Sequence, residues 1–392
     1  MKKENNKKYW ILALFAFVTL DGALIQARGA LVPTWKETFT TSETFLGLIT
    51  PVGTVGFVAA MVVFGSASGR IDIKRALLAG IAVTAAAALL IGASPTFLLL
   101  LAFIGLRGFG TGIFRSLDRT VLSHLYPERR ARIFSLHTMA WAIGATAGPL
   151  LVTAALWLSG WQLTYLVLAL PLVPIFVILW GLDRPATLAN EQSLSLADVR
   201  DLLGEPGIYG MALALLFVGS IESVFFQWLP YYATELFSRD VANLTLSIYL
   251  AAYVPGRFAF SRLAERYRFT DLVVAVGVIL VGSLYAMLVL AEGLVVLGLV
   301  FVIGFFVSGL FPTLISMGIE SRPSFTGPIN VVANVAAQTG FFIAPATVGI
   351  VADATSIGTA MLLQIGLAVV LTIVALGLKV GPLGSRRSTA SE

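Results

Sequence analysis

The sequence predicts an all-α membrane protein: twelve transmembrane helices in two pseudo-symmetric six-helix bundles. Three observations carry that prediction. Of the 392 residues, 58% are hydrophobic and only 12% charged, with a mean hydropathy of +0.91, whereas a soluble globular domain is roughly a quarter charged. Twelve apolar runs are long enough to cross a hydrocarbon core, which takes about 20 residues of helix. The longest polar stretch, finally, falls near the middle of the chain, with six runs on either side. The unbroken runs exclude a β-barrel, whose strands alternate over about 10 residues.

In order, the runs cover roughly 10–33, 43–67, 75–93, 97–125, 132–158, 162–181, 208–236, 242–263, 271–291, 294–318, 327–351 and 357–379. The connections are mostly short, so consecutive helices are antiparallel neighbours. Lys2, Lys3, Lys7 and Lys8 precede a first run that is too long for a signal-peptide core and lacks a small-residue cleavage site. The polar stretch 182–206 separates an N-terminal six-helix bundle (1–181) from a C-terminal one (207–392). Within it, LSLADVRDLL reads as a short amphipathic helix on the cytoplasmic surface.

Lysine and arginine set the orientation. With the N-terminus in the cytoplasm, that side receives the lysine-rich tail, Arg70, Lys74 and Arg75, Arg129, Arg130 and Arg132, Arg184 and Arg200, Arg257, Arg262, Arg266 and Arg268, Arg322, Lys379, Arg386 and Arg387. The other side holds Lys36 and Arg239 alone. The expected location is the cytoplasmic (inner) membrane, multi-pass, with both termini cytoplasmic. The pI near 9.5 therefore reports topology in a lipid bilayer, and no nucleic-acid partner is expected. The absence of cysteine excludes a disulfide framework and Cys-type metal sites, and two histidines do not make a metal cluster. No Walker A sequence or spaced catalytic grouping occurs, so neither an enzyme nor a cofactor is expected.

The two halves repeat. GIFRSL at Gly112 to Leu117 matches GLFPTL at Gly309 to Leu314, and Gly144, Gly148 and Pro149 match Gly340, Ala344 and Pro345. Gly69-Arg70 falls on Glu265-Arg266, and Phe17-Val18 with Asp21 corresponds loosely to Phe217-Val218 with Glu222. Such parallel repeats are related by an axis along the membrane normal.

This six-plus-six pattern resembles the major facilitator superfamily, and the resemblance covers essentially the whole chain. That family joins its second and third spans by a connector of the form G-x-L-A-D-R-x-G-R-R. Here GSASGRIDIKR keeps the first glycine and Arg70 but has Gly69 at the acidic position; the second copy, SRLAERYR, keeps Glu265 and Arg266. The resemblance implies a cytoplasmic gate at these residues, with its N-terminal latch in doubt. PERRARIFSLHTMAWAIGATAGPLL, FPTLISMGIE and VGSIESVFFQWLPYY look similar to the fucose and glucose permease branch.

A charge at the bilayer centre costs at least about 2.5–3.5 kcal/mol, so ionisable groups inside spans face the interior and serve function. Asp21 in the first span and Glu222 in the seventh are the expected proton-coupling carboxylates. Asp21 and Arg28 lie seven residues apart on one helix face, so an ion pair between them is the structural alternative. Arg28, Arg107, Trp141, Gln227, Asn334 and Gln338 are the expected substrate contacts. Asn330, Asn334 and Gln338 form one amide stripe, and interhelical hydrogen bonding would equally account for it. Arg115, Asp118 and Arg119, at i, i+3 and i+4, read with Arg70, Glu265 and Arg266 as gating residues. His137 reads as structural.

The expected function is a secondary active transporter, a monomer, moving a small polar organic solute (sugar-like or an organic acid) by alternating access with a coupling proton. A drug–proton antiporter and a non-transporting receptor are the alternatives. The first predicts a more apolar cavity and the second saturable binding without counterflow.

Overall fold

A computed structural model describes residues 2–66, 71–183, 204–322 and 325–380. The first half comprises α1 (Lys2–Phe39), α2 (Glu43–Leu46 and Ile49–Ser66), α3 (Ile73–Gly92), α4 (Phe97–Leu125), α5 (Arg130–Leu158) and α6 (Trp161–Ala169 and Leu172–Gly181). The second comprises α7 (Pro206–Ala233), α8 (Arg239–Ala251 and Tyr253–Arg266), α9 (Phe269–Tyr285, closed by a π turn, Ala286–Leu290), α10 (Val295–Ser321), α11 (Thr326–Ala354) and α12 (Ile357–Met361 and Leu363–Val380). The expected surface helix within 182–206 and the gate residue Arg70 lie outside the described residues.

Among the described residues, eleven helices have the length and apolarity of a membrane span. The exception is α8, whose second part carries Arg257, Arg262, Glu265 and Arg266. It breaks at Ala252. Pro255 explains the break, because a proline ring clashes with the carbonyl four residues earlier, here that of Ala251. By contrast, α1 runs past Pro33 to Phe39, beyond the predicted end at 33. Neighbouring helices in a bundle can satisfy the carbonyl that an internal proline frees.

Small residues let helices touch backbone to backbone. A Cβ on Gly144 of α5 would collide with the Thr19 carbonyl of α1, and a Cβ on its repeat mate Gly340 of α11 with the Leu216 carbonyl of α7. The repeat seen in sequence is thus a repeat of contacts: α1 packs on α5 as α7 packs on α11. On the other side of the first half, Gly108 of α4 lies directly against the Gly53 carbonyl of α2.

One face of the molecule carries the N-terminus and the basic connectors; we call it the basic face, and the opposite one the far face. The halves join toward the far face. Lys36 and Tyr231 both bond Glu43, Lys36 Nζ donates to Tyr231 Oη at 2.6 Å, and Arg239 pairs with Glu37. Thr44 Oγ1 donates to Asp353 Oδ2 at 2.7 Å. Between α5 and α8, Ser247 Oγ donates to the Thr146 carbonyl at 2.9 Å and Trp157 Nε1 to Asp240 Oδ1 at 3.0 Å. Except for Lys36–Glu43, which ties α1 to α2, these bonds cross from one half to the other.

Replacing Gly144 by valine should lower the melting temperature of the detergent-purified protein and its monodisperse yield, since overpacking costs about 1–3 kcal/mol. Gly65→Ala is the control, because a Cβ there meets nothing within 4 Å; thermal unfolding with size-exclusion chromatography checks both.

Candidate functional site

On α4, Arg107, Thr111, Phe114 and Asp118 recur at i, i+4, i+7 and i+11, a single stripe on a helix, and this stripe faces α1. Phe114 stacks on Phe17 with ring centroids 3.7 Å apart. One turn further along, Arg107 Nη1 lies 3.1 Å from Asp21 Oδ1, and Thr111 Oγ1 donates to the same oxygen at 3.1 Å. Asp21 and Arg107 are each 2% exposed. The alternative pairing of Asp21 with Arg28 is therefore not adopted. Seven residues along one helix separate backbones by about 10.5 Å, whereas α4 brings Arg107 directly across.

Arg28 is buried and forms no direct ion pair among the described residues. Its Nε donates to the Ile25 carbonyl at 3.1 Å, while Nη1 is enclosed with no hydrogen-bond partner. The guanidinium rests against Gly53 of α2, where any Cβ would overlap Nη1. Asp21, Arg107 and Tyr165 of α6 are all close enough to act on its charge, and the Tyr165 hydroxyl is itself buried and unpartnered.

The second half holds a different constellation. Tyr253 Oη donates to Glu222 Oε1 at 2.7 Å and lies 3.2 Å from the Tyr249 hydroxyl. Arg257 sits 5.5 Å from the Tyr253 ring centre, and Phe225 stacks on Tyr249 at 5.0 Å. Tyr249, Tyr253 and Arg257 recur every four residues along α8. That polar stripe in the least apolar span was a readable signal that the sequence analysis missed, as were Thr111 and Tyr165.

Where Gly29 of α1 meets the Phe226 carbonyl of α7, the two halves are in register. From that level toward the basic face, Asp21 lies about 12 Å away and Glu222 about 6 Å, at 1.5 Å per residue. The two carboxylates are in opposite halves and one helical turn apart in depth.

In this structure Gln227, expected as a substrate contact, bonds backbone of α2. Its Oε1 accepts from Thr50 N–H at 2.9 Å and its Nε2 donates to the Leu46 carbonyl at 3.0 Å. These two groups would bond each other in an unbroken α2, so the amide fills the break at Gly47-Leu48. Its polar atoms are committed to the junction of the halves.

The remaining predicted residues are distributed as follows. Trp141 is half-buried, its carbonyl against Gly22 of α1. On α11, Asn334 is exposed and its Nδ2 donates to the Asn330 carbonyl at 2.7 Å, and Gln338 is half-buried. Their stripe lies between the edge that packs on α7 (Ala337, Gly340) and the edge that meets α2 (Ala346). Toward the basic face, Arg115 Nη1 and His137 Nε2 lie 3.2 and 3.3 Å from Asp118 Oδ2. Phe15 meets the His137 ring edge-on at 5.4 Å. Arg119, Glu265 and Arg266 are exposed. Two depressions lie apart from all these groups. One, of about 620 Å³, opens on the far face between Lys36, Glu37, Tyr231 and Arg239. The other, about 570 Å³ and almost wholly apolar, is a groove between α2, α4 and α11.

The sequence profile of the Major Facilitator Superfamily matches residues 11–345. The chain belongs to that superfamily. The TsgA homologs of Serratia proteamaculans and Yersinia enterocolitica are each 24% identical to it, over 327 and 334 residues, spanning 81% of this chain and 81% of theirs. Among solved structures, a bacterial homolog of the human lysosomal transporter Spinster, inward-facing and unoccupied, superposes with a TM-score of 0.80 at 14% identity, covering 94% of this chain and 96% of that one. The nucleoside transporter NupG superposes with a TM-score of 0.79 at 14% identity, covering 96% and 100%. The molecule is thus a multi-pass membrane protein of a transporter superfamily, not of an enzyme family, with the fold expected from sequence.

Far-face closure gives a direct test of the superfamily's two-sided architecture. The chain has no native cysteine, so spin labels can be placed at Thr38 and Ser238, which flank the junction. Lys36→Met combined with Gln227→Leu should add a longer-distance population to the Thr38–Ser238 distribution in pulsed dipolar spectroscopy. An unchanged distribution would show that these bonds do not hold the halves together.

Proposed function

We propose that this protein is a proton-coupled secondary transporter of a small polar organic solute, sugar-like or an organic acid. It works by alternating access in the cytoplasmic membrane with both termini inside. The observation that carries the reading is the pair of carboxylates inside spans, Asp21 buried and Glu222 half-buried, one in each half on the basic-face side of the Gly29–Phe226 crossing. Each is held by groups that protonation would release. A proton on Asp21 removes the charge that Arg107 faces at 3.1 Å, freeing that guanidinium and loosening α1 from α4. A proton on Glu222 leaves its hydrogen bond to Tyr253 without a charged acceptor, and such neutral bonds are roughly half as strong.

The orientation rests on the basic connectors, which gather on the face that holds the N-terminus, and the bacterial TsgA relatives support an inner-membrane setting. Far-face closure supports assignment of this conformation to the cytoplasm-facing half of the cycle. The solute would meet Arg107, Trp141, Asn334 and Gln338 between the halves. Arg115, Asp118 and Arg119 with Arg70, Glu265 and Arg266 would act as the cytoplasmic gate.

A thermal-shift screen of sugars and organic acids identifies a solute for reconstitution. In proteoliposomes with an imposed pH gradient, Asp21→Asn or Glu222→Gln should abolish gradient-driven accumulation while solute counterflow persists. Accumulation that ignores the pH gradient, or survives both substitutions, would refute proton coupling through these residues.

A further inference from the structure

The first-half cluster is unbalanced. Asp21 gives its charge to Arg107 and Thr111, so one carboxylate stands against two guanidinium groups. Arg28 is left with an enclosed, unpartnered Nη1. A buried cation whose neighbouring acid, Asp21, is paired directly with another arginine is costly to hold, and inside a membrane span it marks a candidate functional site. The surroundings are built around it. Gly53 of α2 leaves room that any Cβ would take from Nη1. The Tyr165 hydroxyl and Arg107 Nε are buried nearby with no partner. The Tyr165 oxygen can accept from one guanidinium, but the three groups together offer more donors than acceptors, and each can donate to an oxyanion.

We propose that Arg28, with the Tyr165 hydroxyl and Arg107 Nε, binds the carboxylate of an organic monoanion, so that the solute is an organic acid and not a neutral sugar. This rests on the transport reading above and selects between its two solute classes. The single excess positive charge fits one carboxylate. Guanidinium presents two parallel N–H donors to the two oxygens of such a group, and Arg28 has only Nε engaged, with a backbone carbonyl. The solute's remaining hydroxyls would extend toward the amide stripe of α11.

The idea makes an unusual demand on stability. A structural arginine destabilises when removed, whereas an arginine waiting for a ligand anion relieves strain when removed. Arg28→Met should therefore leave unchanged or raise the melting temperature of the ligand-free protein, while Arg107→Met, which strands Asp21, should lower it.

Binding is tested on the purified full chain in nanodiscs, with acetate, lactate, gluconate, citrate, inorganic phosphate and neutral glucose as probes, by calorimetry and thermal shift. Lactate or gluconate should bind saturably, and Arg28→Gln should weaken that binding roughly 10- to 100-fold, the loss expected for a charged hydrogen bond. Arg28→Lys should restore part of it. Glucose binding equal in wild type and Arg28→Gln, phosphate binding with no carboxylate competing, no carboxylate binding at all, or a clear fall in melting temperature for ligand-free Arg28→Met would each overturn the proposal. Because this readout is equilibrium binding, it can fail while proton-driven flux of a neutral solute stands, and it can succeed where proton coupling fails.

Discussion

Ion pairing inside hydrocarbon governs this molecule. Arg107 and Asp21 are tolerable at mid-span only as a pair, because taking each charge out of water separately costs several kcal/mol. The pair fixes the register of α4 against α1, and neighbouring turns follow it: Phe114 stacks on Phe17 one way, and Arg28 reaches Gly53 the other. Breaking the pair by protonating Asp21 changes more than one bond. It leaves a lone guanidinium beside a second one that already lacks a partner.

The two halves share a scaffold but not a chemistry. Close contacts repeat from α1–α5 to α7–α11 through Gly144 and Gly340, because backbone proximity tolerates nothing but small residues at those positions. The polar groups carried on that scaffold diverge. The first half places a carboxylate against an arginine and a threonine; the second places one against Tyr253, which also bonds Tyr249 and has Arg257 beside its ring. Arg115 corresponds to Pro312, and Gly69 to Glu265. Under the proposed alternating access, an asymmetric distribution of charge over symmetric helices would let the halves rock as similar bodies while differing in what neutralises their intramembrane acids.

That division also explains what the sequence made legible. Span count, the repeat and the two carboxylates follow from composition and spacing, since charge in an apolar run is conspicuous and glycine periodicity survives in one dimension. Partner choice is not local. Asp21 had Arg28 on its own helix face at the right angle, yet the competing residue on α4 won because interhelical distance is shorter than two turns of rise. The partners of Gln227 were not legible for a related reason. An amide in a span signals a polar requirement, but only the break in α2, which no residue pattern announced, shows that the requirement is backbone. Tyr249, Tyr253 and Arg257 were legible as a stripe and were passed over because tyrosine in a span reads first as packing.

Reversible closure sets a last constraint on these contacts. A transporter cannot seal one face with strong bonds, since it must open that face in every cycle. The Glu37–Arg239 pair that joins the halves is partly exposed, and a pair of that kind contributes about 0–1 kcal/mol. Gln227 is different, because its amide is buried and satisfies two backbone groups of the opposite half. Separation of the halves would orphan both, at about 1–3 kcal/mol apiece, unless α2 closes its own break. Thr50 N–H and the Leu46 carbonyl are correctly spaced to bond each other once the amide withdraws. A mended α2 would thus satisfy both groups itself and limit the cost of opening the far face.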